Sequence, residues 1–64
     1  MPRKIRDLIR DLERAGFVDR GGKGSHRNYL HPKGTTVTIS GHLGDDAKPY
    51  QEKDVQRVLV EIKR

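Results

Sequence analysis

Apolar residues recur at helical spacing near both ends of the chain, and the region between them is rich in glycine and β-branched residues. The first periodic segment places its apolar residues on one face, at Ile5, Leu8, Ile9 and Leu12. Pro2 suits a first helical turn, and Gly16 suits the left-handed position that ends a helix. Phe17 would then contact Leu12, as is common at such ends. We therefore predict a helix over residues 2–15.

A second periodic segment lies near the other end of the sequence. Its apolar face consists of Val55, Val58, Leu59 and Ile62. If Gln51 caps this helix, Tyr50 is expected to pack against Val55. Residues 41–49 are polar, which predicts a loop before the helix.

Three short segments in the middle of the chain have the composition of β-strands. FVDR (17–20) is followed by the glycine-rich turn GGKG, and SHRNYLH (25–31) by the turn PKG. TTVTIS (35–40) alternates apolar and hydroxyl residues. The resulting α-β-β-β-α order predicts one α+β domain over residues 1–64. In it, a three-stranded antiparallel sheet carries both helices on one face.

The predicted core combines the apolar faces of these elements. Its members are Ile5, Leu8, Ile9, Leu12, Phe17, Tyr29, Val37, Ile39, Val55, Val58, Leu59 and Ile62. Because strand residues alternate between faces, an inward Tyr29 turns the residues at odd separation outward. The expected open face consists of His26, Asn28, Leu30, Thr36, Thr38 and Ser40. This face is polar and has one histidine near its edge.

The net charge and the absence of cysteine limit the kinds of function that the sequence supports. The chain has 14 Lys and Arg against 9 Asp and Glu. The net charge of +5 favours an anionic partner such as nucleic acid, although a solvated surface can have the same composition. Without cysteine, neither disulfides nor a sulfur-ligated zinc support the small core, so a partner chain is expected.

No apolar run approaches the roughly 20 residues of a membrane span, and no signal peptide is recognisable. We therefore expect a cytoplasmic protein without a membrane partner.

The stretch GGKGSHRNY places a histidine beside glycines and cations. His26 is the strongest candidate for proton transfer, because an exposed imidazole changes its protonation near cellular pH. Arg20, Lys23 and Arg27 can neutralise a phosphate. The glycine amides, that of Gly24 among them, can approach it closely. The pattern predicts a phosphate site beside a histidine, but a glycine-rich hairpin before an ordinary surface histidine has the same sequence signature.

The other two histidines are weaker candidates for proton transfer. His31 lies at the end of a strand, where a packing role is expected, and His42 lies in the loop after the third strand, from which it could approach the open face. The spacing of the three histidines matches no metal-ligand pattern, so neither a metal nor a cofactor is predicted. Ser25 adjoins His26, but neighbours on a strand face opposite sides, which argues against a nucleophile–base pair. The G-x-x-x-x-G-K-[ST] loop of NTPases is absent.

Taken in order along the chain, these motifs resemble the HicA family of toxin ribonucleases. The most specific part of the resemblance is the pattern G-S-H-x-x-[YF]-x-H-P, which is met by Gly24, Ser25, His26, Tyr29, His31 and Pro32. The helix ending in Gly16–Phe17 and the histidine at position 42 match as well. The approach to the last helix, GHLGDDAKPYQEKDV, departs from the usual family pattern.

The resemblance implies a fold like the double-stranded RNA-binding domain and a toxin that cleaves messenger RNA. It implies that His26 is catalytic. It also implies that a HicB-type antitoxin binds the toxin, covers this histidine and suppresses cleavage. The candidate RNA- and phosphate-binding residues are Arg20, Lys23, Gly24, Ser25, Arg27 and Asn28.

The chemistry of RNA makes a metal-independent mechanism feasible. RNA carries its own nucleophile, the 2′-OH, so an enzyme needs only to move protons and stabilise the phosphorane. His26 would deprotonate the 2′-OH or protonate the leaving 5′-oxygen, and the second proton-transfer role is unassigned. Two alternatives stay open: a non-catalytic RNA-binding module of the same fold, and a structural protein that docks another chain through its open sheet face or Leu30.

Overall fold

A computed structural model describes residues 3–63, and its helices and strands follow the predicted order. The elements are helix α1 (Ile5–Arg14), strands β1 (Val18–Asp19), β2 (Arg27–Leu30) and β3 (Thr36–Ile39), and helix α2 (Pro49–Glu61). The strands form one antiparallel sheet in the order β1-β2-β3. The α+β class and the element order of the double-stranded RNA-binding domain are therefore confirmed, although each strand is shorter than predicted.

Both helices cover the same face of the sheet, and a single core lies between these two layers. Its buried members are Ile5, Leu8, Ile9, Leu12, Phe17, Tyr29, Val37, Ile39, Ala47, Val55 and Val58. Tyr29 points inward as predicted and is only 3% exposed. Leu59 and Ile62, two predicted members, are only partly buried at the margin of the core. Ala47 was not predicted, because a single small residue in a polar loop gives no apolar pattern.

The C-terminal end of α1 has the predicted left-handed glycine. Gly16 has a φ of +102°, and its N–H donates to the carbonyl oxygen of Glu13 at 3.1 Å. The N–H of Phe17 donates to the carbonyl oxygen of Leu12 at 3.0 Å, and the Phe17 ring is buried. These bonds supply donors to carbonyls in the last turn of the helix. The chain is thereby directed into β1.

The N-terminal end of α1 does not follow the prediction of a helix from residue 2. The helix begins at Ile5, and the residues just before it are extended and pair with the loop before α2. Ala47 donates its N–H to the carbonyl oxygen of Arg3 at 2.7 Å. Ile5 donates its N–H to the carbonyl oxygen of Asp45 at 2.9 Å. Backbone bonds to the loop before α2 thus take the place of the predicted first helical turn. Pro2, which was predicted to lie in that turn, is outside the described residues.

The start of α2 also differs from the expectation. The helix begins at Pro49 after the cap residue Lys48, so Gln51 is not the cap but the third helical residue. The Oε1 of Gln51 accepts from the N–H of Lys48 at 2.9 Å, and its Nε2 donates to the carbonyl oxygen of Ser40 at 2.8 Å. This buried amide ties α2 to the end of β3. Because the helix starts at the proline, Tyr50 lies outside the core and is 55% exposed, and the expected packing of its ring is wrong.

Candidate active site

His26 lies directly before β2, and its side chain is exposed as predicted. Its backbone is held from two sides. The N–H of His26 donates to the carbonyl oxygen of Lys23 at 3.0 Å, closing a turn in which Gly24 has a φ of +58°. Gly22 packs so closely that a β-carbon there would lie 2.3 Å from the carbonyl oxygen of His26. The imidazole is therefore presented to solvent from a restrained backbone.

The loop before this histidine is also bonded to β2. The N–H of Arg20 donates to the carbonyl oxygen of Asn28 at 2.7 Å. The carbonyl oxygen of Gly21 accepts from both the N–H and the Nδ2 of Asn28, at 3.1 and 3.0 Å. The N–H of Gly21 donates to the carboxylate of Asp19 at 2.7 Å, so this amide is not free for a phosphate. The amide of Gly24, in contrast, has no hydrogen-bond partner among residues 3–63.

Net positive charge is concentrated in the middle of the chain, because acidic residues are absent there. Residues 20–44, called the basic segment below, contain four Lys or Arg and no Asp or Glu. Helix α1 carries three basic and three acidic residues, and α2 carries two and three, so neither helix adds positive charge. Arg20 and Lys23 in the basic segment are exposed and have no ion-pair partner within residues 3–63. The segment that contains His26 is thus the most favourable part of the described chain for an anion.

Arg27 and Asn28, two of the predicted contact residues, lie on opposite faces of β2. Arg27 pairs with Ile39 in the sheet, is half-buried, and donates from Nη1 to the carbonyl oxygen of Gly41 at 3.1 Å. Asn28 is exposed on the open face, where its Oδ1 accepts from the Oγ1 of Thr38 at 2.8 Å. Arg27 therefore braces the loop after β3, and only Asn28 belongs to the open face. The sequence carried no signal for the bond between Arg27 and that loop.

Ser40 was expected on this open face, and the structure contradicts that placement. Strand β3 ends at Ile39, so the alternation of faces no longer applies to the next residue. The carbonyl oxygen of Ser40 accepts from Gln51, and its Oγ lies 3.4 Å from the same Nε2. Ser40 therefore turns towards α2. The other predicted members, Thr36, Thr38 and Asn28, are exposed, while Leu30 is half-buried.

His31 has the packing role predicted for it. Its Nε2 lies 3.1 Å from the carbonyl oxygen of Ala15, and its Nδ1 accepts from the N–H of Lys33 at 3.1 Å. Since a carbonyl can only accept and an amide can only donate, the Nε2–H tautomer satisfies both contacts. The ring also packs against Phe17, with centroids 5.1 Å apart. The Nε2 bond and the Phe17 contact therefore hold the end of α1 against the end of β2, and the Nδ1 bond fixes the turn that follows β2.

The chain matches a known family over nearly its whole length. Residues 5–62 fit the family model described as the HicA toxin of bacterial toxin–antitoxin systems, and all five elements fall within this range. The chain belongs to the HicA toxin family. The resemblance noted in the motifs is confirmed, and membership makes this chain a toxin of a toxin–antitoxin system. No curated protein matches it closely enough to be counted as a relative.

In this HicA toxin, His42 is the second exposed histidine. It lies in a turn that two hydrogen bonds to Asp45 close. The N–H of His42 donates to the Oδ2 of Asp45 at 3.1 Å, and the carbonyl oxygen of His42 accepts from the N–H of Asp45 at 3.0 Å. Both bonds use the backbone of His42. Its imidazole has no partner within the described part of the chain.

Tyr29 also belongs to the family motif, but its burial excludes it as a proton-transfer group. Burial raises the pKa of Tyr29, and the carboxylates of Asp19 and Glu13 raise it further. The phenol is thus protonated and inside the core at cellular pH. Its function is to fix the register of β2 against the helices.

The described chain contains neither a cluster of metal-ligating side chains nor a membrane-spanning helix. No group of three or more His, Asp or Glu side chains comes together within residues 3–63 in a way that could hold a metal ion. Neither helix there is long and apolar enough to cross a bilayer. The candidate functional site is the group of charged and titratable residues around the glycine loop.

Proposed function

We propose that this HicA toxin is a metal-independent endoribonuclease that cleaves messenger RNA in the cytoplasm, with His26 as its catalytic residue. One observation carries the proposal: His26 is an exposed imidazole on a restrained backbone, inside a segment with four cations and no carboxylate. Cleavage of a phosphodiester needs both a proton-transfer group and positive charge at the phosphate. Membership in a toxin family agrees with an activity that damages RNA.

The nucleophile would be the 2′-OH of the RNA itself. His26 would accept the proton of this hydroxyl or donate a proton to the departing 5′-oxygen. The surrounding cations would stabilise the charge that accumulates on the phosphorane. The restrained backbone matters because proton transfer requires the imidazole to stay within hydrogen-bond reach of the reacting oxygen.

Three cations of the basic segment would contribute differently. Arg20 and Lys23 are exposed and without an ion-pair partner in the described chain, so they would contact the phosphate directly. Arg27 is half-buried with one guanidinium nitrogen on Gly41, so it would add charge at longer range while holding the loop.

Neutral donors would complete the phosphate site. The amide of Gly24 has no partner in the described chain, and the next residue, Ser25, carries a hydroxyl. Asn28 would contact RNA from the open face. One hydrogen of its amide nitrogen is bonded to Gly21, which leaves the second one available.

A HicB-type antitoxin would neutralise the toxin by covering His26. Exposure of the histidine and of the open sheet face beside it supports this, since a docked protein could exclude RNA from both. Co-purification with the product of an adjacent gene, together with loss of cleavage in that complex, is the expected result. A complex that cleaves RNA as fast as the free toxin would contradict the proposal.

The direct test compares wild type with His26→Ala on a mixed-sequence RNA transcript, with and without EDTA. We expect the variant to cleave about 10²–10⁴-fold more slowly and to melt at the wild-type temperature, because its side chain is exposed. Lys53→Ala, an exposed change on α2, is the matched control and should cleave normally. Equal rates for wild type and His26→Ala would contradict the catalytic role, and loss of wild-type activity in EDTA would contradict metal independence.

The same assay separates the alternative of a non-catalytic RNA-binding module. Such a module would use the basic segment for backbone contacts, with affinity falling steeply as salt rises. It would bind the transcript without generating products. Binding without cleavage by the wild-type protein would therefore favour the alternative.

A further inference from the structure

Cleavage by the 2′-OH requires two proton transfers, at oxygens that lie on opposite sides of the phosphorus, so a second group placed opposite His26 is expected. One group must take the proton from the 2′-OH, and another must give a proton to the departing 5′-oxygen. The inference that follows rests on the proposed function and concerns the second group.

The three histidines differ in the state of their ring nitrogens. Both ring nitrogens of His31 are hydrogen-bonded, Nε2 to the carbonyl oxygen of Ala15 and Nδ1 to the N–H of Lys33. His26 and His42 are exposed, and neither imidazole has a partner within residues 3–63. These two are therefore the histidines of this chain that are free to exchange protons with a ligand.

Both free histidines lie at the same end of the sheet. Arg27 and Ile39 form the last pair of the β2–β3 ladder at that end. His26 comes immediately before Arg27, and His42 follows Ile39 by three residues. The residue after His26 is also bonded to the residue before His42, because the Nη1 of Arg27 donates to the carbonyl oxygen of Gly41 at 3.1 Å, so both histidines border the same end of the sheet.

The loop that carries His42 is bonded on both sides of this residue. Before it, the carbonyl oxygen of Gly41 accepts from the Nη1 of Arg27 at 3.1 Å. After it, the carbonyl oxygen of Leu43 accepts from the N–H of Arg6 at 3.1 Å. The turn closed by the Asp45 carboxylate adds a third restraint. The loop is thus attached to both β2 and α1, which keeps the imidazole near the end of the sheet.

We propose that His42 is the second catalytic residue and completes an acid–base pair with His26. One imidazole takes the proton of the 2′-OH while O2′ bonds to phosphorus. The bond from phosphorus to O5′ breaks, and the other imidazole gives its proton to O5′. The products are a 2′,3′-cyclic phosphate and a 5′-hydroxyl end, so no water, metal or further reactant is consumed.

The first test measures cleavage by His42→Ala against the exposed neighbour Leu43→Ala as a control. His42→Ala should cleave about 10²–10⁴-fold more slowly, and Leu43→Ala should match wild type. Affinity for the same RNA with a 2′-deoxy residue at the mapped cleavage position should be unchanged in both. A rate for His42→Ala within about threefold of wild type would overturn the inference.

The second test assigns the roles with an oligonucleotide that carries sulfur in place of the bridging 5′-oxygen at the cleavage position. A thiolate leaves without protonation far more readily than an alkoxide, since a thiol ionises near pH 8.5. The variant that lacks the general acid should regain activity on this substrate, and the variant that lacks the general base should not. Recovery of both His26→Ala and His42→Ala, or of neither, would overturn the proposed pair.

These measurements distinguish a wrong role for His42 from a wrong assignment of ribonuclease activity. If wild type cleaves and only His26→Ala is impaired, the ribonuclease stands and His42 has no catalytic role. If wild type does not cleave, the proposed function itself is wrong.

Discussion

The two ends of β2 each carry a histidine, and the protein uses these two histidines in opposite ways. His26 precedes the strand, is exposed, and has no partner for its ring in the described chain. His31 follows the strand, and its two nitrogens and its ring face contact Ala15, Lys33 and Phe17. The same side chain is thus a candidate catalyst at one end and a structural link at the other.

What separates the two ends is their surroundings. At the His31 end, α1 terminates beside the strand and offers a carbonyl oxygen and an aromatic ring. At the His26 end, the glycine loop offers only backbone, so the loop can fix the main chain while the side chain stays in solvent. A histidine is therefore available for chemistry where its neighbours contact its backbone and not its ring.

Among the substitutions that test this comparison, Gly22→Ala is expected to have the largest effect on stability. A β-carbon would lie 2.3 Å from the carbonyl oxygen of His26, so the backbone must move, at a cost of about 3 kcal/mol. If His26 is catalytic, cleavage should fall as well, because its imidazole moves with the backbone. Gly44→Ala is the matched control, since nothing lies within 4 Å of its β-carbon position. Urea unfolding measures both, and equal stability of the two variants would show that the close approach is unimportant.

A smaller effect is expected at the other end of the strand, from His31→Ala. The variant loses two hydrogen bonds and the contact with Phe17, which should lower the free energy of unfolding by about 2 kcal/mol. In a domain of this size the melting temperature should fall by roughly 10 °C. His31→Gln, which can still donate towards Ala15, should lie between wild type and the alanine variant. A melting temperature unchanged by His31→Ala would refute the structural role.

The smallest effect concerns pH and involves neither histidine. The backbone N–H of Lys4 holds the pKa of Asp7 below its ordinary value, with help from Arg10, Arg3 and Arg6. Because the pKa is lower in the folded state, this stabilisation is present above the ordinary value of 3.8 and is lost as pH falls through the folded value.

Urea unfolding at pH 7 and pH 3 checks this expectation with Asp7→Asn. The variant should be slightly less stable than wild type at pH 7 and should lose less stability on going to pH 3. An identical loss in both proteins would remove Asp7 from the explanation of acid unfolding.

Much of the fold follows from periodic patterns that sequence carries directly. The apolar spacing in α1 and α2 and the alternation in β3 predict which residues are buried, and the inward Tyr29 predicts the register of β2. Gly16 followed by Phe17 predicts the end of α1, because only a few residues adopt that backbone conformation. These are local rules, and they hold where neighbouring residues determine the structure.

The features that sequence missed are contacts between distant backbone or polar groups. The pairing of Arg3 with Ala47 shortens α1, the buried Gln51 holds the end of β3, and Arg27 reaches the carbonyl of Gly41. None of these contacts leaves a periodic pattern, since each joins parts of the chain that meet only in the folded state. At the site, the sequence singled out His26 and its cations, but not the close approach of Gly22.

The contrast between the two histidines is tested most directly by assaying His26→Ala and His31→Ala side by side, for RNA cleavage below their melting temperatures and for thermal stability. If the exposed end of β2 is catalytic and the packed end structural, His26→Ala loses cleavage and melts like wild type. His31→Ala then melts earlier and still cleaves. A His26→Ala protein that cleaves normally, or a His31→Ala protein that is inactive while fully folded, would contradict this division.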